Sequence, residues 1–347
     1  SKERERAEWL KQYTQCVEKH YEPAEPQPVL GGRVARKLHC KYDCKYGMGG
    51  RLYSAGHNHG PQWDDGTKSS VNIQGMPLEL KPFLMGFGLP EGPYGVDIDQ
   101  ENSQPQILRQ LAFMLTWNRL NGKYKRPETP QLDEWCKDRK GYIRRVAEVH
   151  KLEGDFDELK RLVKKLVIAL MFGGSYAGWI MNTLERDSGK EPRSEEILGM
   201  EQEIEALRRG VFLSDQWYDW CKKDYERLVR AGFEKERVKM ARQRGASNEK
   251  LAKMNEEDRY RSVFARVAQY QENVILTSMR SFLYETGWTE LSLIYDGLVV
   301  ARREGLAIDY KAMQRRIYND TKFRIAVTDK PFCEGEEGQW PRLSLSR

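Results

Sequence analysis

Apolar and polar residues alternate over one short stretch of the chain and then change to a helical spacing. In "VDIDQENSQPQIL", Val96 and Ile98 alternate with Asp97 and Asp99. A β-strand with this alternation carries both carboxylates on one face. Adjacent carboxylates repel each other, so we expect a divalent cation, an Arg or Lys, or solvent beside them. The pattern predicts a strand that ends in two acids and leads at once into a helix over 104–121.

Helical spacing governs most of the remaining chain. A charged helix is predicted over 1–20, followed by a proline-rich extended connector in "YEPAEPQPVLGG". Residues 33–95 predict irregular structure with a few strands around "GGRLYSAG". Further helices are predicted over 131–150, over 155–173 and across most of 196–285, where "GASNEKLAKMNEED" is a charged interruption.

The C-terminal part predicts strand, helix and strand. In "LSLIYDGLVVAR" the Asp296–Gly297 pair is a hairpin signal, so we expect two strands with the carboxylate at the tip. A helix over 309–319 and a strand in "FRIAVTD" follow. An Asp-Gly pair is by itself usually only a turn. If its hairpin lies beside the strand of Asp99, the two carboxylates converge as oxygen ligands for hard cations. The predicted fold class is α+β.

Composition limits the range of functions. The 347 residues carry 32% charged side chains and a net charge of +6, which indicates a moderate basic bias and favours an acidic partner. No run of about 18 apolar residues occurs, and "SKERERAEWL" has no signal-type apolar core, so we expect neither a membrane span nor secretion. The six scattered cysteines predict free thiols and an intracellular compartment, cytoplasmic or nucleoid-type; an organellar or viral origin stays open.

The helix in "KRLVKKLVIALMFGGSYAG" has a basic side. Lys160, Lys164 and Phe172 fall along one side, while Leu166, Val167 and Leu170 are spaced to pack inward, as are the apolar residues of any amphipathic helix. For this helix in isolation, an ordinary solvated lysine face is the favoured interpretation. A face that grips phosphate is the alternative.

In their order, these three segments resemble the catalytic motifs of one superfamily. It joins family A DNA polymerases to phage-type and mitochondrial-type single-subunit RNA polymerases. "VDIDQENSQPQIL" resembles the first motif, "KRLVKKLVIALMFGGSYAG" the second and "LIYDGLVV" the third. Flanking matches are "GGRLYSAG", "VNIQGMP", "YQENVILTSMRSFL" and "FRIAVTDKPF" followed by "GQW", so that the resemblance spans about 47–340.

The resemblance implies a right-hand polymerase fold. A palm with a small antiparallel sheet would be joined to largely helical fingers, with a reduced or missing thumb. Only about 45 residues precede "GGRLYSAG", which suggests a minimal enzyme or a catalytic module of a longer protein. The implied domains are an N-terminal helix and connector over 1–32, the first part of the palm over 33–121, fingers over 122–260 and the second part of the palm over 261–347.

The resemblance also implies roles for individual residues. Asp99 and Asp296 would ligate two Mg²⁺ ions, with Mn²⁺ as an alternative and Asp97 assisting. Whether Asp97 or Asp99 is the principal ligand stays open. Lys160 and Lys164 would hold the triphosphate of the incoming nucleotide. The remaining implied contacts are with the nucleotide, by Phe172 and Tyr176, and with nucleic acid, by Arg51 and Gln271.

The implied function is template-directed nucleotidyl transfer by two-metal phosphoryl chemistry. Phe172 and the closing segment favour a DNA polymerase acting in DNA replication. Tyr295 replaces the usual His, and Gly297 replaces a second acid of the DNA polymerases, which favours an RNA polymerase or primase. A non-catalytic nucleic-acid-binding module is a further alternative. The implied partners are a template and primer, nucleoside triphosphates and other replication proteins or domains, with no membrane; template type and primer requirement stay open.

One further cluster has metal-binding residue types. A zinc site could draw four ligands from the cluster, but the spacing matches no closed zinc motif, and a polar loop with free thiols is the favoured interpretation. The residues concerned are His39, Cys40, Cys44, His57 and His59.

Overall fold

The computed structural model describes most of the chain after residue 94. The described ranges are 95–117, 129–183, 195–212, 256–303 and 305–330, together with a few short strands and isolated positions before residue 75. The chain divides into two compact units. Unit 1 comprises Ser1–Lys45, Gly50–Glu101 and Asn273–Arg347, and unit 2 comprises Tyr46–Gly49 and Asn102–Glu272.

Short hairpins occupy the described part of the N-terminal region. Strand β1 (Gln27–Val29) pairs with β2 (Arg33–Ala35), and β3 (Tyr42–Asp43) pairs with β4 (Tyr53–Ser54), both antiparallel. The first hairpin begins inside the segment predicted as an extended connector, because its extended backbone finds a pairing partner just beyond the glycines. The strand predicted around "GGRLYSAG" is confirmed as β4.

A four-stranded antiparallel sheet forms the centre of unit 1. Its strands are β5 (Gly95–Gln100), β6 (Glu290–Ile294), β7 (Gly297–Ala301) and β8 (Val327–Lys330), in the order β6-β7-β5-β8. The strand predicted from the alternation of acids is confirmed as β5, and the hairpin as β6 and β7. The fold therefore combines helices with a small antiparallel sheet.

The described residues of unit 2 are mainly helical, and their helices enclose an apolar core. The predicted helix over 131–150 is wrong as one element, because Asp138 interrupts it and caps the second half by accepting a hydrogen bond from the Gly141 amide. Asp155 caps the basic helix in the same way. The core includes Leu132, Tyr142, Val163, Leu166 and Met200. The helices are α1 (Ser103–Trp117), α2 (Pro130–Lys137), α3 (Arg139–Val149), α4 (Phe156–Met171), α5 (Tyr176–Thr183) and α6 (Glu195–Phe212).

Two further helices complete the described structure. Helix α7 (Glu256–Glu285) crosses from unit 2 to unit 1, and α8 (Tyr310–Thr321) confirms the helix predicted over 309–319. The predicted strand in "FRIAVTD" starts only at its fifth residue, Val327. None of the described helices combines the length and apolarity needed to cross a membrane.

Candidate active site

Two acidic residues from distant segments lie at the same end of the β5–β7 pair. Ile98 lies opposite Leu298, so Asp99 follows directly beside Gly297, the residue after Asp296. A Cβ built on Gly297 would lie 3.3 Å from Oδ1 of Asp99. The adjacency of the two strands, on which convergence of Asp99 and Asp296 depends, is confirmed.

Gly297 is required by a close backbone approach. A Cβ at this position would come within 2.4 Å of the Ile98 carbonyl oxygen, which no side chain tolerates. Gly297 therefore belongs to β7, where it pairs with Ile294, and the two-residue loop is Tyr295–Asp296. The carboxylate is at the tip as predicted, while the glycine acts through proximity to β5.

Tyr295 has an uncommon backbone conformation beside this carboxylate. Its φ is +51°, in the left-handed region that bulky residues rarely adopt. Such a conformation costs on the order of 1–3 kcal/mol and persists where surrounding structure enforces it. Here the hairpin supplies that constraint, because both neighbours of the loop are held in paired strands.

A lysine from β8 faces the carboxylates. Lys330 is the cross-strand partner of Asp97, and its Nζ lies 3.4 Å from Oδ2 of Asp99. Burial alone lowers the pKa of Lys330, but the charges of Asp99, Asp97 and Asp296 and the hydrogen bond to Asp99 outweigh it, so the pKa is raised. All three carboxylates thus act on one ammonium group. This role could not be predicted from the sequence, because "FRIAVTDKPF" indicates only a closing strand.

The carboxylates of Asp99 and Asp296 are suitable ligands for a hard cation, but they do not surround it. Within the described ranges, no three His, Cys, Asp or Glu side chains are grouped closely enough to form a metal site. Asp99 and Asp296 supply carboxylate oxygens, and the Asp99 side chain is 29% exposed. Mg²⁺ typically takes one or two carboxylates and keeps several waters, so an open pair of carboxylates fits it.

The basic side predicted for α4 is accessible in unit 2. Lys164 is exposed, and Lys160 is partly buried with its Nζ 3.6 Å from Oδ1 of Asp157. The inward packing of Leu166, Val167 and Leu170 is confirmed, since all three are buried.

Phe172 and Tyr176 both contribute to the packing of unit 2. Phe172 is the C-cap of α4 and packs partly buried against the apolar core. Tyr176 is 2% exposed, and its hydroxyl lies 3.4 Å from the ring nitrogens of His150. Its ring also contacts Trp179. Tyr176 is therefore a core residue, a position that its spacing from Phe172 did not reveal.

Only some of the other candidate residues lie within the described part of the chain. Gln271 is on α7 and partly buried, beside the buried Glu272. Arg51 lies outside the described residues. Cys16 and Cys136 are free thiols, as predicted. The zinc candidates, which also lie outside the described residues, are His39, Cys40, Cys44, His57 and His59.

Comparisons with known proteins give weak structural likenesses and no sequence match. No model of a known protein family matches the chain, and no curated protein matches it at a significant level. Among solved structures, the chain is similar to the POL domain of Pol1 from M. smegmatis in complex with DNA primer-template and dNTP, with 14% identity and a TM-score of 0.42. The match covers 87% of this chain and 48% of that chain, so this chain spans about half its length. The likeness is too weak to support an argument about function.

Proposed function

We propose that the protein is a template-directed nucleotidyltransferase that extends a nucleic-acid strand, with DNA synthesis favoured. The observation that supports this proposal is the position of Asp99 beside Gly297, the residue after Asp296, on strands nearly two hundred positions apart in the chain. Paired carboxylates with open coordination positions are what two-metal phosphoryl transfer requires. The order of the three sequence motifs supports the same reaction.

Asp99 and Asp296 would hold the divalent cations, with Asp97 beside them. When bound, Mg²⁺ would activate the primer 3′-hydroxyl and stabilise the charge on the leaving pyrophosphate. Lys330 orients Asp99 through their contact and offsets part of the repulsion among the carboxylates. Its ammonium group contacts Oδ2 of Asp99, an oxygen that a bound cation would also use.

Lys160 and Lys164 would bind the triphosphate, where compact ammonium charges suit phosphate oxygens. Phe172 would pack against the nucleotide from the end of α4, and Arg51 and Gln271 would contact nucleic acid. A contact between Tyr176 and a nucleotide would require α5 to repack, because this side chain is buried. Its simpler contribution is to hold α5 against the core beneath Phe172.

RNA synthesis or priming is the second candidate, and one observation favours it. The position of Gly297 has no room for the second acid that DNA polymerases of this superfamily carry in the third motif. The single carboxylate of that motif is the RNA polymerase pattern. Phe172 points to DNA instead, so the test must compare both nucleotide types directly.

Primer extension tests the proposal. The protein is incubated with a template, with or without an annealed primer, and with either deoxynucleotides or ribonucleotides, in Mg²⁺, Mn²⁺ or a chelator. We expect metal-dependent extension of the primer by deoxynucleotides. Ribonucleotide incorporation without a primer would favour a primase or RNA polymerase. Binding of the template without incorporation under any condition would contradict catalysis and favour a non-catalytic binding module.

A further inference from the structure

The exposed side of α8 combines positive charge with an aromatic ring. Lys311, Arg315, Tyr318 and Lys322 are separated by four, three and four positions, so they lie along one side of the helix and its C-cap. All four are exposed, and Tyr318 is exposed by 40%. With Arg324, they form what we call the α8 basic face.

The α8 basic face is on the opposite side of the sheet from the candidate active site. Met313 and Ile317, on the other side of α8, are fully buried, and Gln314 Nε2 donates to the Val327 carbonyl. Val327 pairs with Gln100, whose side chain points away from Asp99 in the alternating strand. The burial of Val327 therefore marks the side of the sheet that α8 covers.

Cations are held around the aromatic ring at the end of this face. The Arg324 guanidinium carbon lies 5.2 Å from the centroid of Tyr318, and the Lys322 ammonium lies 5.9 Å from it. Lys322 ends α8 with a φ of +65°, and its Nζ donates to the Asn319 carbonyl. Contacts of this kind restrict both side chains, so that binding of an anion costs less conformational entropy.

The acids of α8 are engaged mainly away from this face: hydrogen bonds from Arg316 and Ser278 lower the pKa of Asp320, and the charge of Lys322 makes a smaller contribution. Asp320 points to the other side, where it accepts from Arg316 and Ser278, and Asp309 caps the start of the helix. Lys311 and Arg315 form no ion pair with any residue in the described ranges. The positive side chains therefore extend along the helix for roughly 16 Å from Lys311 to Lys322.

We propose that the α8 basic face is a second nucleic-acid-binding surface, which takes a single strand of DNA or RNA. Lys311, Arg315 and Lys322 contact successive phosphates, and a base stacks on the Tyr318–Arg324 pair. This binding goes beyond the proposed polymerase function, because it needs no metal and no catalysis. It would hold the template or the displaced strand away from the reacting end.

The chemistry of the face favours a nucleic acid over other anionic partners. Membrane-binding helices insert an apolar side, but that side of α8 is buried in unit 1. Lysine is depleted from protein–protein interfaces, whereas lysine and arginine around an exposed aromatic ring match strand-binding surfaces. Binding of an acidic protein segment instead of a nucleic acid is the alternative that the experiment below distinguishes.

Photocrosslinking locates the bound strand directly. An oligonucleotide containing a photoreactive uracil is irradiated with the unmodified protein in the presence of a chelator, and the crosslinked peptide is identified by mass spectrometry. We expect crosslinks at Tyr318 or within 311–324. Crosslinks confined to other segments would overturn the proposal without bearing on incorporation at Asp99 and Asp296.

Substitution tests the same surface quantitatively. Lys311→Gln with Arg315→Gln should weaken binding of a single strand roughly tenfold and reduce the salt slope by about 1.4, as expected for two lost phosphate contacts. Tyr318→Ala should also weaken binding roughly tenfold, while Tyr318→Phe should retain it. The charge-matched control is Lys137→Gln with Arg209→Gln, two exposed positions of unit 2.

The outcomes separate the alternatives. Equal weakening by the Lys311→Gln, Arg315→Gln pair and by the control pair would show that only net charge matters, and would overturn the proposal. Displacement of the strand by polyglutamate at equal charge concentration, with no effect of Tyr318→Ala, would also overturn it in favour of an acidic protein partner. The expected result is unchanged incorporation by the Lys311→Gln, Arg315→Gln variant at saturating primer-template, together with roughly tenfold weaker binding of a free strand.

Discussion

Gly297 lies so close to Ile98 that a Cβ on the glycine would be 2.4 Å from the Ile98 carbonyl oxygen. This approach places Gly297 beside Asp99 in the paired strands, with Asp296 as the preceding residue of the hairpin loop. The glycine is needed for the distance between two backbones, and its φ is not among the positive values found in the described residues.

Replacing Gly297 by Ala should separate the two strands. We expect the free energy of unfolding to fall by roughly 3 kcal/mol, because the methyl group has no space against a backbone carbonyl. Incorporation should fall by about 100-fold, since the carboxylates would shift relative to each other. Urea denaturation and primer extension measure the two effects.

Gly305→Ala is the matched control. Gly305 has a φ of +71° but has no described atom within 4 Å of its Cβ position. Its substitution should cost only about 1 kcal/mol from the backbone and leave incorporation unchanged. Equal effects of the two substitutions would show that close approach is not the function of Gly297.

Lys330→Gln should strengthen binding of divalent cations. Its ammonium lies 3.4 Å from Oδ2 of Asp99 and competes with a cation for that oxygen. Removing the charge should tighten Mn²⁺ binding roughly fivefold, or about 1 kcal/mol, the size of a unit-charge interaction across about 4 Å in water, because the exposed Lys330 side chain is screened by solvent. Titration followed by Mn²⁺ paramagnetic resonance measures it, with Lys137→Gln as control. Unchanged affinity would mean that cations bind away from Asp99.

The local parts of the structure could be predicted from the sequence. Alternation around Ile98 predicts β5 and its acidic face, and the Asp296–Gly297 pair predicts the hairpin, because both signals lie within a few residues. The role of Lys330 could not be predicted, since it depends on β8 pairing with β5 across more than two hundred residues. The break at Asp138 was missed because a capping acid inside helical spacing resembles a surface residue.

Removing the hydroxyl group from two buried tyrosines of unit 2 should change the free energy of unfolding in opposite directions. Tyr142 is fully buried, and its hydroxyl has no hydrogen-bond partner among the described residues. Tyr142→Phe should therefore stabilise the protein by about 1 kcal/mol. Tyr176→Phe loses the contact with His150 and should destabilise it by about 1 kcal/mol.

Thermal and urea denaturation of both variants checks this pair. Phe keeps the edge-to-face contact of residue 142 with Trp135, so packing is preserved. Destabilisation by Tyr142→Phe would indicate a hidden partner such as an ordered water. A loss of nucleotide binding by Tyr176→Phe at unchanged stability would favour the direct nucleotide contact that its motif position predicts.

Stability should decline at alkaline pH in part through Tyr310. Burial, together with the charge of Asp329, raises the pKa of Tyr310 to about 12. The unfolded chain releases this proton near pH 10, so between about pH 10 and 12 the folded state holds the extra proton and stability falls as pH rises. Tyr310→Phe should reduce that decline, measured by urea denaturation across this range. An unchanged decline would contradict the assignment; Tyr284→Phe, at an exposed position on α7, is the control.

Burial is a second property that the sequence does not reveal. The spacing of Tyr176 from Phe172 is that of an aromatic residue that contacts a nucleotide. An aromatic residue one turn beyond the end of a helix can equally well pack into the core. Nothing local separates the two, because burial depends on His150, Trp179 and the packing of several helices. Lys164 shows the converse, since a lysine is rarely buried and its exposure could be predicted.

The central claim is that carboxylates from β5 and from the β6–β7 loop together hold the cations for strand extension. The most direct measurement is metal-dependent primer extension by the variant with both Asp99→Asn and Asp296→Asn, compared with the unsubstituted protein and with the exposed control Asp329→Asn. We expect the double variant to fold, to bind primer-template, and to lose incorporation by at least about a thousandfold, while the control keeps it. Incorporation by the double variant at the rate of the unsubstituted protein would contradict the claim.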